Sequence, residues 1–292
     1  MYCIYTNRDV PNEEGNWDHV IPLSLGGDNK FVVWSERKIN STYGSQVDGA
    51  LANDPLMMIP LSKSDVQGHA KRRKPPRWSK STIGERPGQV EWAKNGPRFW
   101  DAMSKSYLDD ANLIGQTITT QLKIDFFVAL RFLSKVSLGA GYFVYGQEFG
   151  KAVDCQNLRK LSLLDAEAAR QDQALRQSGI MICDRFHTDS RPGGAGYIYR
   201  VLCEQLYRSA CILVPHEDGL SFHVGVAGVY IGSLICPGDG KALPMEGDHD
   251  LGHVIVLGPG EMERHSFRKL CAEFLRAATG EESPNRPEPR HR

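Results

Sequence analysis

The chain carries no net charge, because 35 Lys and Arg balance 35 Asp and Glu. No whole-molecule field therefore draws it to a polyanion, and any nucleic-acid contact has to come from a local patch. Among its seven cysteines there is no C-x-x-C pair, which excludes a four-cysteine zinc knuckle built from closely spaced ligands. The cysteine count is odd and scattered, which speaks against a disulfide framework and for reduced thiols in a cytoplasmic setting. No apolar run reaches the ~20 residues of a bilayer-spanning helix, since the richest stretch, 124–143, is broken by Asp125, Arg131 and Lys135. The first ten residues hold no basic stretch followed by an apolar one, so neither a secretory signal nor a membrane partner is expected. Internal repeats, a P-loop, a dinucleotide fingerprint and a nucleophile elbow are all missing. What is there is a 292-residue chain, 41% hydrophobic and 24% charged, long enough for two modest globular domains.

Turn signals and periodicity organise the chain. Short β-prone stretches at 2–5, 19–22 and 31–34 are separated by turn-rich pieces, the clearest being Gly26-Gly27-Asp28-Asn29. A helix is expected from about Ser35 to Leu51. Residues 71–80, KRRKPPRWSK, hold six cations and no anion, and with Pro75-Pro76, Pro87 and Pro97 the span 71–100 reads as a basic linker. Residues 105–137 and 161–178 carry helical spacing, with Gly179 as a stop. From Ile180 the texture is β: 210–215 and 220–230 flank the turn His216-Glu217-Asp218-Gly219, with further strands at 232–236 and 253–257. Residues 262–277 read as helix and 279–292 as a disordered tail.

The chemistry concentrates in Asp18-His19-Val20-Ile21-Pro22, the Gly26-Gly27 turn, and Asn40-Ser41-Thr42-Tyr43-Gly44 with Asp48. Asp18 and Asn40 offer hard oxygen ligands, which suit Mg²⁺ or Mn²⁺ better than zinc. An imidazole in its neutral form can take a proton from water, a role open to His19. A cation beside a phosphate neutralises charge on the leaving 3′ oxygen, so these parts suffice for phosphodiester hydrolysis. Neighbours on a regular strand point to opposite faces. Asp18 and His19 can then serve one site only at a strand end, a bend or a bulge, and such an irregularity is expected there.

This stretch resembles the HNH (ββα-metal) nuclease motif, in the branch written Cys-x-x-Cys, acidic-His-x-Ile-Pro-x-x-Leu-Gly-Gly, Cys-x-x-Cys-Asn-x-x-Phe/Tyr-Gly-x-x-Val/Ile-Asp. The matching residues are Asp18, His19, Ile21, Pro22, Leu25, Gly26, Gly27, Asn40, Tyr43, Gly44, Val47 and Asp48. The resemblance covers about the first 55 residues, and more weakly the helix-like stretch Ala129–Gly146. It implies a metal-dependent endonuclease with His19 as general base and Asp18 and Asn40 as ligands of one Mg²⁺ or Mn²⁺. For the orienting Asn of the motif, Asn29 is the nearest candidate and Asp28 the next; Asp48 is an accessory carboxylate or a solvated one. Of the four knuckle cysteines only Cys3 remains, with Thr6, Glu36 and Ile39 at the other places, so no structural zinc is expected.

The expected architecture is α+β. An N-terminal ββα-metal nuclease module (1–70) is followed by the basic linker (71–100). A mixed α+β domain (101–278) comes next, helical first and ending in an antiparallel sheet, and then the tail. Nucleic acid, DNA foremost, is the expected partner, and a homodimer stays open. Lys71, Arg72, Arg73, Lys74 and Arg77 can neutralise phosphates and Trp78 can stack on a base, against the competing reading of a solvated linker. Two alternatives stand beside catalysis: a decayed nuclease fold that binds without cutting, favoured by the lost cysteines, and a C-terminal ligand-sensing domain. His249-x-x-x-His253 has ligand spacing but is interrupted by glycine and reads as loop.

Overall fold

In the computed structural model, which describes residues 1–64, 66, 73–93, 95–244, 247–258 and 260–279, the chain is mixed α+β. It opens with a short hairpin, β1 (Tyr2–Cys3) and β2 (Arg8–Asp9). A second hairpin pairs β3 (Gly15–His19) with β4 (Val32–Glu36) in uninterrupted antiparallel register, Trp17 facing Trp34 and His19 facing Val32. The chain then enters a helix without a gap: α1 (Arg37–Tyr43), a π turn (Gly44–Asp48) and α2 (Gly49–Ala52). The helix expected over 35–51 is thus present, with a wide turn in its middle that brings Val47 and Asp48 inward. Helix α3 (Pro55–Lys63) follows, its first turn capped by the Asp54 carboxylate on the Leu56 amide.

The expected linker is a sheet. Strands β5 (Arg77–Ile83), β6 (Arg86–Ala93), β7 (Gly96–Asp101), β8 (Ser106–Tyr107) and β9 (Ile118–Thr120) form an antiparallel sheet in the order β8-β7-β6-β5-β9, with the short α4 (Asp110–Leu113) before β9. Its prolines and cations lie where a sheet tolerates them: Pro76 precedes β5, and Pro87 and Pro97 stand near strand starts. The alternation that reveals the strands is present, burying Ser81 and Ile83 on β5 and leaving Lys80 and Thr82 exposed. The helix expected to begin at 105 begins instead at Phe126, because Asp125 caps it on the Phe127 amide.

Helix α5 (Phe126–Tyr145) is the axis of the core. Phe132, Leu133, Val136, Leu138 and Ala140 have no exposed surface, each of the larger ones contributing ~1.5–3 kcal/mol by burial. It is long and apolar enough to cross a membrane by length and composition, but 61% of its apolar window is packed inside the protein. Its cluster joins Ile4, Val20, Phe31 and Tyr43 of the first sixty residues to Leu213, Phe222 and Ile255 of the last third. After α6 (Gln147–Ala152) and α7 (Cys155–Leu163), the span expected as one helix to 178 breaks at capping aspartates into α8 (Ala166–Gln171) and α9 (Gln173–Arg176).

The C-terminal antiparallel sheet has six strands ordered β10-β13-β12-β11-β14-β15. They are β10 (Met181–Asp184), β11 (Ser209–His216), β12 (Gly219–Val226), β13 (Val229–Pro237), β14 (His253–Gly258) and β15 (Glu261–Ser266). The predicted turn at Glu217-Asp218 joins β11 to β12. Helix α10 (Tyr197–Gln205) was not foreseen, and the helix expected from 262 starts only at Phe267 as α11 (Phe267–Thr279), since 261–266 pair with β14. Nearly all of the tail expected at 279–292 lies outside the described residues.

Gly139 of α5 marks how closely the helix approaches β3's end: a Cβ there would meet Tyr5 Oη at 2.7 Å and Val20 Cγ2 at 2.9 Å. Glycine to alanine in an open helix gains ~1 kcal/mol. Here the overpacking reverses the sign, and Gly139→Ala is expected to lose about 1–3 kcal/mol in urea denaturation. An unchanged or raised midpoint would refute this packing.

Candidate active site

The loop after β3 is shaped by its glycines. Leu25 and Gly27 amides both return to the Pro22 carbonyl, at 2.8 and 3.0 Å. A Cβ on Gly27 would lie 1.7 Å from the Ile21 carbonyl oxygen, so no other residue fits. Gly26, at φ 78°, supplies the left-handed turn. The loop is tied to the large sheet by Ser209, whose hydroxyl donates to the Leu25 carbonyl at 2.6 Å and accepts from the Ala227 amide at 3.0 Å.

This turn delivers Asn29. Buried Asp28 accepts from the Lys30 amide at 2.8 Å, closing an Asx turn, so Asp28 builds the loop and Asn29 is the residue that reaches His19. Nε2 of the half-buried His19 donates to Asn29 Oδ1 at 3.0 Å. In a neutral ring that donates from Nε2, the lone pair is on Nδ1.

Asp18 turns the other way, into the interior. β3 ends at His19 with no bulge in its register, and alternation holds to the last residue, so the irregularity expected to turn Asp18 and His19 toward one site is not there. Asp18 is 5% exposed, and its carboxylate lies 3.3 Å from the ammonium of Lys135, a side chain with no exposed surface on α5. The same ammonium donates to Asp48 Oδ2 at 2.8 Å and to the His19 carbonyl at 2.9 Å. Tyr43 lies beneath, its ring 5.9 Å from Lys135 Nζ and its hydroxyl 2.8 Å from Ser162. Asp48 is therefore a buried partner of Lys135 and not a solvated helix carboxylate.

Burial pushes the Asp48 carboxyl up to about 6, against the pull of Lys135. The two aspartates draw Lys135 upward against its own desolvation. Lys135 was legible only as an interruption of an apolar run. A lone lysine within a helix this apolar has to find carboxylates in the interior, and that was the available signal.

Asn40, on α1, donates from Nδ2 to Asn16 Oδ1 at 3.1 Å and to the Trp17 carbonyl at 3.4 Å. It thus lies against the peptide that leads into Asp18. The structure brings His19 and Asn29 together. It does not bring Asp18 or Asn40 to them: Asp18 faces inward onto Lys135, and Asn40 lies on Asn16 and the Trp17 carbonyl.

The basic run is dispersed. Lys71 and Arg72 lie outside the described residues. Arg73 is half-buried and holds the Ser24 carbonyl. Arg77 pairs with Glu91, Trp78 is half-buried in β5, and Lys74 is exposed. Elsewhere, His249 and His253 stack at 4.5 Å, and His253 accepts from Arg264, with burial and that cation pushing it down to about 3. A group the sequence did not single out stands at the end of β10, where donor atoms of Cys183, His187 and Asp189 come within 4.8 Å of one another.

Removing the ammonium leaves buried carboxylates uncompensated, so Lys135→Met is expected to cost ~3–5 kcal/mol at pH 7.5. Asp48's folded pKa lies above its unfolded value, so its protonation favours the folded state. That contribution is present in acid and lost as pH rises through about 6. The Met variant's deficit is accordingly expected to shrink at pH 5. Denaturant titrations at both pH values check this, and a pH-independent deficit would contradict it.

No family model, curated protein or solved structure matches the chain.

Proposed function

We propose that the chain is an HNH-type endonuclease in which His19 is the general base for phosphodiester hydrolysis. The observation that carries this is the His19–Asn29 hydrogen bond of 3.0 Å at the end of β3, in a hairpin that runs directly into a helix bearing Asn40. Asn29 fixes the imidazole ring and the proton on Nε2. Nδ1 then takes a proton from a water, the water oxygen forms a bond to phosphorus, and the bond from phosphorus to the 3′ oxygen breaks. The leaving oxygen takes its proton from solvent.

The donor chemistry fits one Mg²⁺ or Mn²⁺. Asp18 and Asn40 carry hard oxygen donors, and Asn40 lies against the Trp17–Asp18 peptide; Asp18 is paired with the Lys135 ammonium and faces inward, so holding a cation requires its carboxylate to be shared with or released from Lys135. Asp18 and Asn40 would hold the cation, which supplies charge neutralisation at the scissile phosphate when bound. Lys135 fixes the strand end by holding the His19 carbonyl. Asp28 and the glycine turn hold Asn29 in reach.

A second reading, binding without cutting, is favoured by the same Lys135, because an ammonium already compensates Asp18. Plasmid and single-stranded substrates incubated with Mg²⁺, Mn²⁺ or EDTA separate the two. Metal-dependent nicking that falls about 10²–10⁴-fold in His19→Ala, with folding and binding kept, is expected. Asn29→Ala is expected to fall less. Equal cleavage by His19→Ala and the parent would reject the base.

A further inference from the structure

The hairpin β3–β4 carries a second feature on the face opposite Asp18. Gly15, Trp17 and His19 alternate onto one side of β3, across from Glu36, Trp34 and Val32. Trp17 is 57% exposed, a large apolar surface left in water beside the proposed site. Its ring is not adrift. It stands edge-on to Trp34 with centroids 5.5 Å apart, and Trp34 is fixed by donating Nε1–H to the Val10 carbonyl at 3.2 Å. Gly15 makes room for that ring, since a Cβ there would lie 2.2 Å from Trp34 Cζ2.

These two rings, with Tyr142 and Phe143 of α5, wall a cavity of about 420 Å³ that also includes Asp9 and Gln147. Phe143 is held edge-on to Phe31 at 5.0 Å. The volume falls within the usual range of small-ligand sites. Flat rigid rings with one carboxylate and one carboxamide suit a planar heterocycle that carries hydrogen-bonding edges. Met1 and Tyr2 line the cavity beside Asp9, and it is the aromatic walls that favour a base there. Trp17 and His19 lie two residues apart on the same strand face, ~7 Å along it, and Lys30 is exposed next to Asn29 on the solvent side.

We infer that this cavity seats one unpaired nucleobase of the substrate strand, stacked on Trp17, next to the phosphate that His19 addresses. A base within a duplex is already stacked on both faces, so the substrate class is single-stranded nucleic acid or an extruded nucleotide. The inference rests on the nuclease reading of His19 for the identity of its ligand.

The test measures binding by the full chain in EDTA, with a labelled single-stranded oligonucleotide and the blunt duplex of the same sequence at one salt concentration. The single strand is expected to bind more tightly than the duplex. Trp17→Ala is expected to weaken it roughly five- to hundred-fold, while Trp17→Phe keeps most of the affinity. Trp17→Ala with an unchanged thermal midpoint shows that the loss is not unfolding. Single-strand affinity equal in Trp17→Ala and the parent, or no binding of either oligonucleotide, overturns the base pocket. Metal-dependent cleavage that Trp17→Ala leaves intact would overturn the pocket and leave the nuclease standing. Trp17-dependent binding with no cleavage under any divalent cation would keep the pocket and remove the nuclease.

Discussion

A single buried ammonium holds the parts of this protein in relation to one another. Lys135 reaches from the central helix α5 to a strand end through the His19 carbonyl, to that strand's carboxylate through Asp18, and to the π turn through Asp48. None of these groups is stable alone in an apolar interior, where an uncompensated charge costs several kcal/mol. Each is tolerated because the others are present, so the helix, the hairpin and the turn have one mutual arrangement that satisfies them all. The surface half of the site, His19 with Asn29, stands on that foundation.

The division of labour along β3 follows from strand geometry. Alternation sends Asp18 inward and leaves His19 half-buried, and the strand's end frees the chain to fold back through the two glycines. The inward neighbour meets a lysine and the outward neighbour meets an amide. A buried carboxylate fixed by an ammonium and an imidazole fixed by an asparagine are both preorganised groups, set in place before any ligand arrives. The wide turn within the α1–α2 helix has the same local logic, because it carries Val47 and Asp48 to the interior while Ser45 and Gln46 remain in water.

Much of this was written in local sequence signals, and the rest was not. The Gly26-Gly27-Asp28-Asn29 turn, the helix after it and the hairpin at Glu217-Asp218 were legible because glycine, Asx chemistry and period act over a few residues. Asn29 was a named candidate, and only the fold placed it against His19. The sheet over 77–120 was misread because prolines and cations suggested solvent, although they occupy strand starts and exposed positions. The destination of Lys135 was out of reach locally, since its partners lie 87 and 117 positions away in the chain. Pairings of that separation are set by tertiary packing, which local periodicity does not encode.

The five-stranded sheet has one more consequence. The chain's last contact with the principal core before the sheet is Val66 and its next fully buried member is Val128 of α5, and the buried residues Ile83, Val90 and Phe99 of the intervening sheet do not belong to that core. The segment is an excursion with both of its feet on the same foundation. Its length, charge and strand number can drift over evolutionary time without disturbing the ammonium-centred scaffold, so this is where relatives of the chain would diverge first and where a new specificity would be grafted at least cost to folding.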